Sequence, residues 1–107
     1  MRTVNPIDYY HFNPFVTGVN VATTEQIPSI SELRPKDYID TVQIFQGMTV
    51  LIKDQYNASE NGIYVVTKNG LELAEWNLGD LIIVQMGEQN AYSAYQCTNK
   101  YIWTKRW

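Results

Sequence analysis

The sequence predicts a mainly β protein: a small antiparallel β-barrel or sandwich preceded by an extended N-terminal arm. Three observations lead there. From Val42 onward apolar residues recur with a period of two, which marks strands rather than helices. Turn-forming residues punctuate that pattern roughly every 8–12 residues, the spacing of small sandwiches and barrels. Residues 1–20, by contrast, follow neither a period of 2 nor one of 3.6. At 107 residues the chain is long enough for one core and too short for two domains. The predicted organisation is therefore an arm over 1–20 and a single β module over 21–107.

In the arm, Pro6 and Pro14 remove backbone donors and bias the residues before them away from helix. Between and beside them stand Tyr9, Tyr10, His11, Phe12 and Phe15. An aromatic stretch without periodicity lies across another surface, either its own domain or a neighbouring subunit. Tyr9, Tyr10, Phe12 and Phe15 are thus the candidate docking residues. From Ala22 to Asp40, Pro28 and Pro35 break any regular element, which leaves a loop with one edge strand and a short helical turn over Ser29 to Leu33.

The module itself reads as six short strands. Val42, Ile44, Met48, Val50 and Ile52 alternate with polar residues, as in a half-buried strand. Ile63 to Thr67 is apolar on both faces, and Asn69-Gly70 after it is a strong hairpin signal because both residues tolerate positive φ. Leu71 to Ala74 forms the return strand. Gly79-Asp80 then precedes Leu81-Ile82-Ile83-Val84, again apolar on both faces. Ala94 to Thr98 and Tyr101 to Trp103 flank a second tight turn at Asn99-Lys100. Doubly apolar strands favour closure, since an open single-layer sheet shows one polar face.

Composition narrows the function. A net charge of -3 and a pI near 4.9 argue against nucleic acid, which calls for a basic face. Single copies of Cys (Cys97) and His (His11) exclude an internal disulfide framework, a Cys-built zinc site and a multi-histidine metal site. His11 in a Pro-flanked arm is poorly placed for a catalytic base, and Cys97 after Gln96 reads as a small buried hydrophobe. Glu72 and Glu75 fall on opposite faces of one strand, the wrong arrangement for paired carboxylates. No cofactor and no enzymatic activity are expected. Neither an apolar run of membrane-spanning length nor a signal-peptide pattern appears, so no membrane association is expected.

Charged residues make up 18% of the chain, whereas eight Tyr, three Trp and three Phe make it aromatic-rich. Trp76, Trp103 and Trp107 are open to three readings: core, subunit contact, or a platform for stacking sugars. The loop from Asp54 to Gly62 is rich in oxygen ligands, with Asp54, Ser59, Glu60, Asn61 and Gly62 its key members. Its spacing matches no EF-hand, so the expected role is local bonding to backbone, with Asn61-Gly62 supplying positive φ at the strand entry.

The run Gly47-Met48-Thr49-Val50-Leu51-Ile52-Lys53-Asp54-Gln55, followed by Ala58-Ser59-Glu60-Asn61-Gly62-Ile63-Tyr64-Val65-Val66, resembles a module that recurs in bacteriophage tail-fibre, tailspike and other virion appendage proteins. Val21-Ala22-Thr23-Thr24, Tyr38-Ile39-Asp40, Gly79 with Leu81 to Val84, and Asn90-Ala91 resemble other parts of it, so the likeness covers roughly residues 21–98. There are departures. Thr41 stands where the module usually has Gly, Tyr92-Ser93 replaces its Asp-Thr, and the stretch around Arg34 to Lys36 looks inserted. The resemblance implies a virion structural protein, as an adaptor, decoration or tail- or head-fibre-base subunit. Its partners would be other virion structural proteins and copies of itself in a trimer or higher ring. The alternative is a carbohydrate-binding module that contacts a host glycan.

Overall fold

The computed structural model describes residues 16–107. Within them the chain is mainly β. The strands, in order, are β1 (Val16–Val19), β2 (Val21–Ala22), β3 (Tyr38–Ile39), β4 (Val42–Gln43), β5 (Thr49–Ile52), β6 (Gly62–Thr67), β7 (Gly70–Leu73), β8 (Leu81–Val84), β9 (Ala94–Asn99) and β10 (Ile102–Lys105). They form one four-stranded sheet in the order β1-β8-β9-β10, a second in the order β2-β5-β6-β7, and the two-stranded hairpin β3-β4.

Two features depart from an all-antiparallel barrel. The strands described do not close into a barrel, and both four-stranded sheets are mixed because β1 runs parallel to β8 and β2 parallel to β5. Only Asn20 separates β1 from β2, so one extended run feeds both sheets. Asn20 makes the transfer possible. Its backbone N–H donates to the Thr49 carbonyl (3.0 Å), and its side-chain oxygen accepts from the Thr49 N–H (2.8 Å). The first sheet thus begins at Val16, inside the stretch expected to be arm.

Strands apolar on both faces have a different cause from barrel closure. One core lies between the two large sheets, where Val19, Ile82, Val84, Tyr95, Cys97 and Trp103 meet Ala22, Leu51 and Ile63. A second core covers the opposite face of the β2-β5-β6-β7 sheet, with Val50, Ile52 and Val66 packed against Ile39 and Ile44. In β5, Leu51 therefore points into one core while Val50 and Ile52 point into the other, and all three are fully buried. Burying such a side chain contributes about 1.5–3 kcal/mol, so the central sheet is held from both sides.

The second core is closed by the irregular segment. A 3-10 turn over Ile30–Glu32 forms where the prolines predicted one short helical turn, and Ile30 and Leu33 lean on that core. The β3-β4 hairpin turns at Asp40 and Thr41, both with positive φ (48° and 67°). Such a pair makes the mirror-image turn that suits a right-twisted hairpin and normally selects Asn-Gly or Asp-Gly.

The other tight turns are each displaced by one residue from the expected place. The β6-β7 turn residues are Lys68 and Asn69, and Gly70 opens β7 with φ 146°. There a Cβ would crowd the Leu33 carbonyl and the Arg34 guanidinium, both at 3.3 Å. The β9-β10 turn falls on Lys100-Tyr101, with an irregularity in register between Ile102 and Trp103.

Candidate functional site

The oxygen-rich loop folds as a clamp on the segment that follows β2. Gln55, only 8% exposed, pairs with both backbone groups of Ile27 in the manner of a strand neighbour. Its Oε1 accepts from the Ile27 N–H (2.7 Å) and its Nε2 donates to the Ile27 carbonyl (2.9 Å). The same Nε2 lies 3.0 Å from Glu60 Oε1. Thr23 Oγ1 donates to Asp54 Oδ2 (2.7 Å) and accepts from the Lys53 N–H (3.1 Å), while Lys53 Nζ pairs with the Asp54 carboxylate (3.1 Å). Tyr56 N–H donates to Gln26 Oε1 (2.6 Å).

Each remaining member of the loop is spent in the same way. Ala58–Glu60 forms a 3-10 turn capped by Asn57, whose Oδ1 accepts from the Ser59 N–H and hydroxyl. The Glu60 carbonyl accepts from Tyr64 OH (2.7 Å). Partial burial, reinforced by the Glu60 charge, raises the Tyr64 phenol above its ordinary range. Of the pair expected to supply positive φ at the strand entry, Gly62 does (φ 158°), whereas Asn61 has ordinary extended backbone (φ -71°). Its side chain bridges two distant parts instead, accepting from the Gln55 N–H (2.9 Å) and donating to the Tyr101 carbonyl (3.1 Å).

Asp40 and Asn90 make a second clamp that sequence reasoning passed over. The Asp40 carboxylate accepts from the backbone N–H groups of Gln89 (2.9 Å) and Asn90 (2.8 Å). Asn90, 5% exposed, donates to the carbonyls of Ala22 and Thr23 and accepts from Tyr95 OH (2.7 Å). These carbonyls belong to the last residue of β2 and the one after it, so the two clamps meet at Thr23. Gln55 and Asn90 both fall in the stretches that resemble the phage module, but nothing local gives them these roles, because their partners lie 28 and 68 positions away.

The three tryptophans divide. Trp103 is buried in the core between the sheets, and its Nε1 finds no partner among the described residues. Trp76 packs beside it (ring centroids 6.0 Å apart) and meets Tyr101 edge-on (6.4 Å). The Trp76 Nε1 donates to the Lys100 carbonyl (2.8 Å). Trp107 is 60% exposed, and its carbonyl accepts from the Ala94 N–H at the start of β9. It therefore sits at the opposite end of the β9-β10 hairpin from Trp76, about 20 Å along a six-residue strand.

Beside Trp76 runs an open cleft of about 350 Å³, lined by Leu73, Glu75, Leu78, Lys100 and Tyr101. Leu73 and Leu78 are 60% and 68% exposed, an unusual state for large aliphatic side chains at the rim of a cleft. The Lys100 ammonium sits over the Tyr101 ring, 5.2 Å from its centroid.

Cys97 is buried, and its thiol is pushed up first by that burial and then by the nearby Asp80 charge. Among the described residues no three His, Cys, Asp or Glu side chains converge on a common point, and no helix is long and apolar enough to cross a membrane. The docking residues expected in the arm, Tyr9, Tyr10, Phe12 and Phe15, lie outside the described residues. No protein-family model, no curated protein and no solved structure matches the chain.

Proposed function

We propose that this protein is a virion structural subunit, a two-sheet β-sandwich that acts by assembly with neighbouring subunits through its aromatic N-terminal segment. The observation that carries the reading is how the loop from Asp54 to Gly62 uses its polar groups. The segment most like the phage appendage module is consumed in holding the fold, with Gln55, Asp54, Asn61 and Glu60 all bonded to other parts of the chain. Large apolar and aromatic side chains stand at the surface: Tyr38, Tyr56, Leu73, Leu78, Tyr92 and Trp107 are each at least 60% exposed. Large exposed apolar and aromatic side chains on a weakly charged surface suit contacts with other subunits. Closed rings are the common outcome for copies of one chain, and a trimer or higher ring is proposed here.

The carbohydrate reading draws less support from the same residues. A stacking platform calls for several accessible rings on one patch, whereas Trp103 is buried and Trp107 stands apart from Trp76. The decisive experiment is mass spectrometry and cryo-electron microscopy of purified particles from cells that carry the gene. Recovery of the chain at a fixed copy number within the particle is the expected result. Its absence from purified particles overturns the assignment.

A further inference from the structure

The β9-β10 hairpin carries an exposed aromatic side chain at one end and an apolar cleft at the other. Trp107, 60% exposed, is fixed beside Ala94 at the start of β9, where its carbonyl accepts from the Ala94 N–H (2.6 Å). The cleft of about 350 Å³ lies at the Lys100-Tyr101 turn, with Leu73 and Leu78 exposed at its rim and Trp76 and Tyr101 as its aromatic walls. The six residues of β9, about 20 Å of strand, separate the two. That is farther than an indole side chain reaches, and the backbone hydrogen bond holds Trp107 where it is. The chain therefore cannot fill its own cleft with its own Trp107.

We infer that the cleft receives Trp107 of a second copy of the same chain, in a head-to-tail contact between identical subunits. The inference rests on the assembly role proposed above and names a surface through which that role acts. The cleft is large enough for one indole, and it offers the aliphatic walls and aromatic edges against which such a ring packs.

The charges around the two features are complementary. Lys105 and Arg106 lead into Trp107, and both are exposed. Glu75 lines the cleft, and Glu72 stands exposed on β7 next to Leu73. None of these four meets an opposite charge among the described residues, where the one ion pair is Lys53 with Asp54. Arg106 is held by its Nε, which donates to Gln96 Oε1 (2.9 Å), and its two terminal nitrogens are left for a carboxylate. The cleft's own cation, Lys100, is turned onto the Tyr101 ring, 5.2 Å from its centroid. A basic approach to an acidic rim gives the contact its direction. Tryptophan and arginine are also the residues that most often dominate interface energy. A projection and a cleft at separate places on one surface make a heterologous contact, which becomes a ring when the rotation between subunits closes.

The test mixes two full-length variants of different tagged mass. Trp107→Ala removes the projecting ring and keeps the cleft, whereas Leu78→Asp spoils the cleft and keeps the ring. Both positions are exposed, so each chain should fold, which thermal melting checks; Glu75→Lys is a second cleft variant at another exposed position. In sedimentation each variant alone is expected to associate roughly tenfold more weakly than the unaltered chain. An equimolar mixture should give a heterodimer by native mass spectrometry, joined through the one intact ring and the one intact cleft. A mixture that forms no heterodimer overturns the inference. Oligomer mass unchanged by the substitutions discards this cleft and leaves the assembly role standing. An unaltered chain that stays monomeric also discards the contact, while the assembly role falls only with absence of the chain from purified particles.

Discussion

The indole of Trp76 lies directly on the backbone of Gly62, so close that a Cβ at position 62 would overlap the ring, with Cζ3 at 2.7 Å. Gly62 opens β6 and ends the clamp loop, while Trp76 links the β7-β8 connection to the β9-β10 turn through Lys100. The glycine of the Ser59-Glu60-Asn61-Gly62 run is thus needed for the ring laid across it. Gly62→Ala is expected to cost about 1–3 kcal/mol, the range for overpacking, as read by urea denaturation. In a Trp76→Ala background the same change should cost less, leaving only the backbone strain of a non-glycine residue at φ 158°. Equal costs in both backgrounds would show that the indole is not what excludes the methyl.

Thr41 is strained where its hairpin calls for glycine. A β-branched residue at φ 67° is an outlier, and left-handed backbone costs an L-residue roughly 1–2 kcal/mol. Thr41→Gly is expected to raise stability by about 0.5–1 kcal/mol, after the extra freedom of glycine in the unfolded chain and the lost contact of the Thr41 hydroxyl with the Asp40 carbonyl. A melting temperature that falls instead would contradict the account of this turn.

Gln55 holds the segment after β2 through both backbone groups of Ile27. Gln55→Ala leaves these groups without their partner and is expected to cost about 2–3 kcal/mol. Gln55→Glu removes the donor to the Ile27 carbonyl and sets a buried carboxylate beside Glu60. Burial and the like charge raise the pKa of the introduced acid in the folded state, so the variant binds more protons folded than unfolded over that window. Its deficit should therefore shrink as pH falls toward about 4. A deficit that is flat with pH would show that the new side chain escapes to solvent.

Cys97 should behave as an inert core residue. Its thiol is raised above the ordinary value of 9.0, so above that value the unfolded chain loses the proton before the folded one does. The stabilisation is whole below pH 9 and declines as pH rises through the folded value. Reaction with a thiol reagent at pH 8 should be slow in buffer and fast in denaturant. Rapid modification of the native protein would place the sulfur at the surface.

Much of this was legible from the order of residues alone. Alternation located β6 through β10 to within a residue or two, whereas the run from Val42 to Ile52, read as one strand, divides into β4 and β5; Pro28 and Pro35 bracketed the 3-10 turn between them. The same local rules could not see Gln55 pairing with Ile27 or Asn90 with Ala22, because side-chain amides acquire meaning only from backbone brought to them by folding. Turn positions slipped by one residue as well: the β6-β7 turn falls on Lys68 and Asn69, and Gly70 opens β7 where a Cβ would crowd the distant Leu33 carbonyl.

Strand periodicity, which is local, is what the sequence determined by itself: a β protein with apolar residues on both faces of its central strands. Which layers those faces meet was decided by tertiary structure. Val50 and Leu51 are equally buried and adjacent, yet one serves the hairpin layer and the other the core between the sheets. A doubly apolar strand says only that both faces leave water, since burial energy depends on area and not on the identity of the neighbour. Asn20, by passing one extended run from the first sheet to the second, chose layers over a barrel and parallel pairing over antiparallel.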